Sequence, residues 1–182
     1  MKIILLIILI AIIIIGYIII QYIFKYNKLQ SLNIKINEAE SIIDEELRNK
    51  YDLIIRSSKT INKLLKKEVT YFKELEELKT KNISNFEIDR KITEGENLIQ
   101  QVKNDYKSLN ENEEYMEIIN SLKNCDEILE AAKSYYNKNT TEINLIIKTF
   151  PTNLIAKIHK IKLRNYFDGK NMFDEEIKDF KL

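Results

Sequence analysis

Hydrophobic residues follow two different patterns along this chain. From Ile3 to Phe24 they form one continuous, uncharged run, and after Tyr26 they recur every three or four positions. A run of about 20 apolar residues is long enough for a helix to cross the hydrocarbon core of a bilayer. Spacings of three and four place apolar side chains on one face of a helix. The first pattern therefore predicts a transmembrane helix, with the lipid bilayer as the partner of residues 3–24. The second predicts amphipathic helices that pack together.

The first amphipathic segment begins at Tyr26 and has no helix-breaking residue before about Lys81. Its apolar stripe comprises Leu29, Leu32, Ile36, Ala39, Ile43 and Leu47, and then Ile54, Ile61, Leu65, Val69, Phe72, Leu75 and Leu78. The stripe drifts at 51–53, where Asp52 has the chemistry of a helix N-cap. We expect one long helix, with a kink near residues 51–56 as an open alternative. Two shorter helices that reverse at Asp52 are disfavoured, because no loop residues lie there.

Two further long helices follow. Asn and Ser residues at 81–85 predict a turn, and the next stripe comprises Ile88, Ile92, Gly95, Ile99, Val102, Tyr106 and Leu109. A turn at 110–112 precedes a third helix at about 113–148. Its inward face comprises Ile119, Leu122, Cys125, Leu129, Ala132, Tyr136, Ile143, Ile147 and Phe150, interrupted by Asn139 and Thr140. Pro151 ends this helix, and Thr152-Asn153 caps a short final helix to about Lys162.

These segments predict an all-α fold, in which an N-terminal transmembrane helix precedes an antiparallel three- to four-helix bundle with a long first helix. The predicted domains are the anchor at 1–24, the bundle at 25–167 and a polar tail at 168–182. For the tail we favour a mobile segment over a docking helix. Three Gly and one Pro in 182 residues agree with long helices, since sheets joined by tight turns need more of both.

Charge distribution bears on location and partners. Residues 25–182 contain all 28 acidic and 28 of the 29 basic residues, so this part is neutral and has no field that favours nucleic acid. Lys2 precedes the apolar run, whereas Lys25, Lys28 and Lys35 follow it, which predicts a cytoplasmic C-terminal domain. A cleaved signal peptide is disfavoured, because the run is too long and no small-residue cleavage site follows it.

Candidate reactive residues are sparse. Cys125 and His159 are the single cysteine and the single histidine, and they lie on different predicted elements. A hydrolase that uses this pair is the least favoured hypothesis, because Cys125 falls on an apolar stripe and His159 lies among surface lysines. One histidine cannot supply the two Glu-x-x-His pairs of a di-iron bundle. The carboxylates at 74–77 and 111–114 fan around their helices. The sequence predicts no enzyme, no cofactor and no metal site.

The segment from Ile155 to Arg164 alternates basic and apolar residues. Such a segment has the composition of one that lies on anionic lipid. We favour the other interpretation, in which its apolar half packs on the bundle and its basic half faces water.

Several short motifs are spread along the chain: Tyr26-Asn27-Lys28-Leu29, then Ser41 with Ile43-Asp44 and Leu47, Lys50-Tyr51-Asp52-Leu53-Ile54, Ala132-Lys133 with Tyr135-Tyr136-Asn137, Asn144 with Ile147, Phe150-Pro151-x-Asn153, Ile155-Ala156 and Tyr166-Phe167. In these motifs the chain resembles the LemA family of bacterial membrane proteins. The sequence departs from the family pattern in three places. Ile55 stands where a proline is usual, a Gly-Phe near position 160 is missing, and Asp126 replaces a glutamate.

The resemblance implies a single-pass membrane protein with an antiparallel helical bundle and no established enzymatic activity. Relatives are often encoded beside a membrane zinc metalloprotease, which implies a role in envelope stress or membrane-protein quality control. We predict a non-enzymatic module that binds a membrane or membrane-proximal protein, with a self-associating homo-oligomeric scaffold as the alternative. The candidate interaction or register-setting residues are Tyr135, Tyr136, Asn137, Asn144, Phe150, Pro151 and Asn153.

Overall fold

The computed structural model describes residues 1–66 and 85–167, apart from the side chain of Phe86. These residues form four α-helices: α1 (Lys2–Leu65), α2 (Asn85–Asp105), α3 (Glu113–Lys148) and α4 (Thr152–Ile158). A 3-10 helix over Lys107–Glu111 lies between α2 and α3. Within the described ranges the chain has no β-strand, and the all-α prediction is confirmed. The predicted turn at 81–85, the carboxylates at 74–77 and the tail at 168–182 lie almost entirely outside these ranges.

Helix α1 is continuous through residues 51–56, so the expected long helix is confirmed and neither a break nor a reversal occurs at Asp52. The stripe has no gap there, because polar residues share the buried face with Ile54 between Leu47 and Ile61: Lys50, Ser57, Ser58 and Thr60. An apolar pattern misses these polar positions. The prediction that this helix extends to about residue 81 is wrong. Helix α1 ends at Leu65, and the next residue, Lys66, has a positive φ of 51°. The stripe residues beyond it, from Val69 to Leu78, lie outside the described residues.

The N-terminal part of α1 is long and apolar enough to cross a membrane. None of its most apolar 18-residue window is buried within the protein. The side chains from Ile3 to Phe24 are mostly exposed. Because water is a poor solvent for so many aliphatic side chains, this surface suits a lipid environment.

The described residues divide into two compact units. The first unit contains residues 1–37 and 136–166, and so combines the start of α1 with the end of α3 and with α4. Its core consists of Leu29, Leu32, Ile36, Ile143, Ile155 and Ala156. These residues are 5% exposed or less, so α4 is held by the same core that joins α1 to α3.

The second unit contains the rest of α1, all of α2 and the first part of α3, together with Phe167. Its buried residues include Ile43, Leu47, Ile54, Ile92, Ile99, Tyr115, Ile118, Leu122 and Leu129. Lys133 of α3 pairs with Asp89 of α2, whereas Asp126 and Glu96 both reach Lys50. The paired positions advance in opposite directions along the two helices, so α2 and α3 are antiparallel.

The helix ends differ in detail from the prediction. Helix α3 has the predicted bounds, and the Asn112 side chain caps it by accepting a hydrogen bond from the backbone N–H of Tyr115 at 2.9 Å. Helix α2 ends at Asp105, so Tyr106 is 38% exposed, whereas Leu109 is buried through the 3-10 helix. The sequence pattern places Phe150 on the inward face of α3, but this residue is 80% exposed, because α3 ends at Lys148.

The short final helix is also shorter than predicted. It ends at Ile158 and not near Lys162, and Lys160 has a positive φ of 54°. Pro151 occupies the N-cap position, so the predicted Thr152-Asn153 cap is wrong. Thr152 is buried as the first helical residue.

Candidate functional site

Lys50 is the most buried charged group in the described part of the second unit. The helical periodicity of α1 places it between Leu47 and Ile54 on the buried face, and its side chain is only 3% exposed. Its Nζ lies 3.0 Å from Glu96 on α2 and also donates to Asp126 on α3. The ammonium therefore joins three helices. The Glu96 side chain is 20% exposed and the Asp126 side chain 47%, so the cluster opens toward solvent on the Asp126 side.

Burial and ion pairing shift the pKa values of Lys50 and Glu96 in opposite directions. Burial by itself lowers the pKa of the Lys50 ammonium, but hydrogen bonds to Asp126 and Glu96 outweigh it and the pKa is raised. Burial also raises the pKa of the Glu96 carboxyl, and Lys50 offsets only part of that effect. Lys50 therefore stays charged at neutral pH, and Glu96 takes up a proton before an ordinary glutamate does as the pH falls. The arrangement keeps the Lys50 ammonium charged and engages both carboxylates in contacts within the fold.

Cys125 lies beside this cluster and is buried. Burial, together with the Glu46 carboxylate, raises the pKa of its thiol to about 11. A nucleophilic cysteine needs a lowered pKa and an adjacent base, and this one has the opposite environment. Cys125 thus packs in the core, which argues against the hydrolase hypothesis.

In the first unit, Asn144 of α3 holds the segment that follows α4. Its Nδ2 donates to the carbonyl of Arg164 at 2.7 Å, and its Oδ1 accepts the N–H of Arg164 at 2.8 Å. This pair of bonds mimics a sheet ladder and satisfies a side chain that is 2% exposed. The Arg164 guanidinium then donates to Asn33 at 2.6 Å and to Asn37 at 3.0 Å, both on α1. We call these four residues the Asn144 clamp.

Two tyrosines extend the contacts between α3 and the segment after α4. The Tyr136 hydroxyl donates to the Asn165 carbonyl at 3.1 Å, and the Thr141 hydroxyl lies 2.9 Å from the hydroxyl of Tyr166. Residues 164–166 lie outside regular secondary structure. Side chains of α3 therefore replace the backbone hydrogen bonds that a helix or strand would supply.

The structure separates the seven residues that the sequence singled out. Tyr136 and Asn144 converge on residues 164–166, as described above. Asn137 is half-buried, and its carbonyl accepts the Thr141 hydroxyl at 3.0 Å. Tyr135 belongs to the second unit and is 43% exposed. The other three lie in the turn before α4 and in its first turn, and all are exposed: Phe150, Pro151 and Asn153. Their role in interaction or register stays a prediction.

The sequence interpretation does not single out several structurally important polar residues. Lys50 and Lys133 enter it only as motif residues. Both prove to be centres of ion pairs, and the Lys133 ammonium lies 2.8 Å from Asp89 and 5.1 Å from the centre of the Phe167 ring. A detectable signal existed for Lys50, which stands three residues after Leu47 and four before Ile54. Arg164 had no such signal, because its partners on α1 are more than 120 residues away.

The sequence predicts a solvated surface position for His159, and the structure corrects this in part. It is exposed, but its Nε2 lies 2.6 Å from the Tyr22 hydroxyl, and its ring centre is 4.5 Å from that of Tyr26. The two tyrosines stack, with ring centres 6.5 Å apart. The histidine is thus attached to the end of the apolar run of α1.

Residues that could hold a metal ion do not converge in the described ranges. Among them, no group of three or more His, Cys, Asp or Glu side chains has the required arrangement. A groove of about 440 Å³ lies between α2 and α3, beside Glu96 and Asp126. Its lining mixes acidic residues with Lys103 and Lys123, so it has no single charge for a ligand to match.

Comparison with known proteins gives one positive result. The model of the LemA family matches residues 39–178, which is most of the chain. A search of curated proteins returned no match. The matched range contains the Lys50 cluster and, apart from the α1 residues Asn33 and Asn37, the Asn144 clamp. This chain belongs to the LemA family.

Proposed function

We propose that this protein is a non-enzymatic interaction module held at the bacterial cell membrane by residues 3–24. Its helical body would bind a membrane or membrane-proximal protein. The observation that carries the proposal is the continuity of α1, in which the apolar run and the first core residues belong to one helix. Leu29, the first fully buried residue, follows Phe24 by five helical positions. A partner that binds the first unit would therefore meet it at a set distance from the bilayer.

The contacts of the polar residues support a non-enzymatic role. Lys50 and Lys133 hold helices together, the Asn144 clamp holds residues 164–166, and the environment of Cys125 disfavours a thiolate. Catalysis needs acid, base or nucleophilic groups that face a substrate. The groups named here are instead occupied by contacts within the fold.

A surface suited to a partner lies on α3 in the second unit. Ile128 is 38% exposed and Tyr135 is 43% exposed. They stand seven residues apart, which is two helical turns, and the exposed Ala131 lies between them. Apolar and aromatic side chains of this kind supply much of the energy of protein interfaces. We assign this stripe, which includes the predicted residue Tyr135, as the first docking surface to test.

The docking test compares full-length variants purified in mild detergent after crosslinking in membranes. Combining Ile128→Ser with Tyr135→Ser should reduce recovery of a specific partner about tenfold or more. A matched control is Glu127→Ser with Glu130→Ser, since both glutamates are exposed neighbours. Crosslinks between two differently tagged copies would favour the scaffold alternative. Equal recovery by all variants would contradict this docking surface.

Anchoring is tested separately by extraction of membranes at alkaline pH. The wild-type chain should stay in the membrane pellet. The variant Ile10→Arg with Ile13→Arg should be released, because each arginine at the centre of a span costs about 3 kcal/mol. Release of the wild-type chain would contradict the proposal.

We further propose that the body faces the cytoplasm, as the lysines that follow the apolar run favour. The test uses a Cys125→Ser background with Lys138→Cys, because Lys138 is exposed on α3. An impermeant thiol reagent should label this position only in broken cells. Labelling in intact cells would place the body outside.

A role in envelope stress or membrane-protein quality control is the finer part of the proposal. It rests on what membership of the LemA family implies. Deletion of the gene should alter survival under membrane stress, and the anchor variant should fail to restore it. An unchanged response to such stress would contradict this role.

A further inference from the structure

Helix α4 has one face in the core and one that nothing in the described chain covers. Its inward residues Thr152, Ile155 and Ala156 are 5% exposed or less. On the other side, Leu154 is 52% exposed and Ile158 is 67% exposed. Phe150, in the turn before the helix, is 80% exposed. This short segment therefore exposes three large apolar side chains, of which those at positions 154 and 158 share one helical face.

Contacts with α1 place this segment beside the end of the apolar run. His159, immediately after α4, bonds to Tyr22 and packs on Tyr26. Tyr22 lies within the run of residues 3–24, and Tyr26 lies just beyond it. Tyrosine rings favour the boundary between hydrocarbon and headgroups. If α1 spans the bilayer, α4 lies at the level of the headgroups.

The charge of the segment matches an anionic surface. Between Ile143 and Phe167 the chain has no acidic residue and five basic ones. Three of the lysines are exposed in and directly after α4: Lys157, Lys160 and Lys162. Basic side chains near a membrane gain from anionic lipid, and neighbouring apolar side chains gain from the acyl boundary.

We propose that α4 and the turn before it bind anionic lipid at the surface of the bilayer that α1 crosses. Phe150, Leu154 and Ile158 enter the boundary between headgroups and acyl chains, and the three lysines contact lipid phosphates. Two attachments, one spanning and one interfacial, then restrain the first unit against the bilayer. This inference rests on the proposed anchoring by α1. It also revises the sequence interpretation, since only Ile155 and Ala156 of α4's apolar residues pack in the core.

The chain contains no tryptophan, so single substitutions provide site-specific fluorescent reporters. The variants Phe150→Trp and Leu154→Trp are reconstituted as full chains in vesicles whose acyl chains carry bromine, a short-range quencher. Ile13→Trp reports whether α1 spans, and Leu145→Trp, which replaces a side chain that is 53% exposed on α3, is the matched control. Positions 150 and 154 should be quenched at least about half as strongly as position 13, and position 145 hardly at all.

The outcomes separate the two proposals. Loss of quenching at position 13 contradicts anchoring by α1. Quenching at position 13 without quenching at 150 and 154 overturns only the lipid contact of α4. If the tryptophans at positions 150 and 154 are shielded from acrylamide in the water but are not quenched by bromine, a protein covers this face of α4. This result also overturns the lipid contact of α4.

Lipid charge is tested in the same variants. Quenching at position 154 should be about twofold stronger with about one third phosphatidylglycerol than with phosphatidylcholine alone. The change of Lys157, Lys160 and Lys162 to glutamine should abolish this difference. Equal quenching in both vesicles, with or without these lysines, overturns the assignment of anionic lipid as the occupant.

Discussion

Replacement of Lys50 by methionine removes one ammonium from the second unit and keeps most of the aliphatic side chain. The variant leaves Glu96 and Asp126 without the cation to which both are bonded. Glu96 is the sensitive partner, because its side chain is 20% exposed, whereas that of Asp126 is 47% exposed and is solvated in part by water. We expect the folded state to lose stability at neutral pH.

The size of the stability loss follows from the burial of Lys50 and of its carboxylate partners. Removal of one member of a buried ion pair costs about 3–5 kcal/mol, whereas an exposed pair contributes about 0–1 kcal/mol. The cluster lies between these cases, so Lys50→Met should lower the free energy of unfolding by about 2–4 kcal/mol. Adding Glu96→Gln should recover more than half of this loss, because the amide needs no counter-charge.

The pH dependence of the loss has a definite sign. Burial raises the pKa of Glu96 above its ordinary value of 4.5, and removal of Lys50 raises it further. A group whose folded pKa is raised contributes stability below its unfolded pKa and loses it as the pH rises through the folded pKa. The difference between the variant and the wild type should therefore be largest near pH 7 and shrink toward pH 4.

The assay is urea unfolding of the full chain in mild detergent, followed by helical circular dichroism. Lys91→Met is the matched control, because Lys91 forms an exposed pair with Glu94, and its effect should stay within about 0.5 kcal/mol. A Lys50→Met variant as stable as this control would refute the reasoning. The reasoning would also be refuted if Lys50→Met with Glu96→Gln were no more stable than Lys50→Met alone.

Three further predictions concern single side chains, each checked on the full chain in the same detergent. Asn144→Ala removes both bonds to the Arg164 backbone and should cost about 1–3 kcal/mol in urea unfolding, whereas the exposed Asn153→Ala should cost less than about 0.5. Tyr115→Phe should raise the free energy of unfolding by about 1 kcal/mol, because the Tyr115 hydroxyl is buried without a hydrogen-bond partner among the described residues. A loss of stability would contradict this expectation. Burial raises the pKa of the Cys125 thiol to about 11 from its ordinary value of 9. Labelling of Cys125 by maleimide at pH 7 should therefore be roughly a hundredfold slower in the folded protein than in urea. Equal labelling rates would contradict the burial of this thiol.

Local pattern was sufficient for much of the fold. The bounds of α3 follow from an acidic start and a stop before Pro151, and the stripe from Leu29 to Leu47 is buried as predicted. Those predictions depend on residues within a few turns of one another, which sequence spacing reports directly. The end of α1 at Leu65 was missed, because the stripe continues past it and neither glycine nor proline marks the stop.

The candidate site was less accessible from sequence. The sequence motif points to Asn144, but the sequence pattern places its partner Arg164 on a basic surface. Phe150 was placed on an inward face and is exposed, because the helix that would have turned it inward ends two residues earlier. Such contacts depend on where separate segments meet.

The sequence by itself determines that this chain is helical, that residues 3–24 suit a membrane and that a neutral body follows, since these properties come from residue type and local periodicity. The tertiary structure alone decides what the polar residues do. It places Lys50 between two carboxylates from other helices, and it joins Arg164 to Asn144 and to α1. The physical reason is that a buried polar group must find a partner, and any distant segment of suitable chemistry can supply it. Local spacing does not report which segment that is.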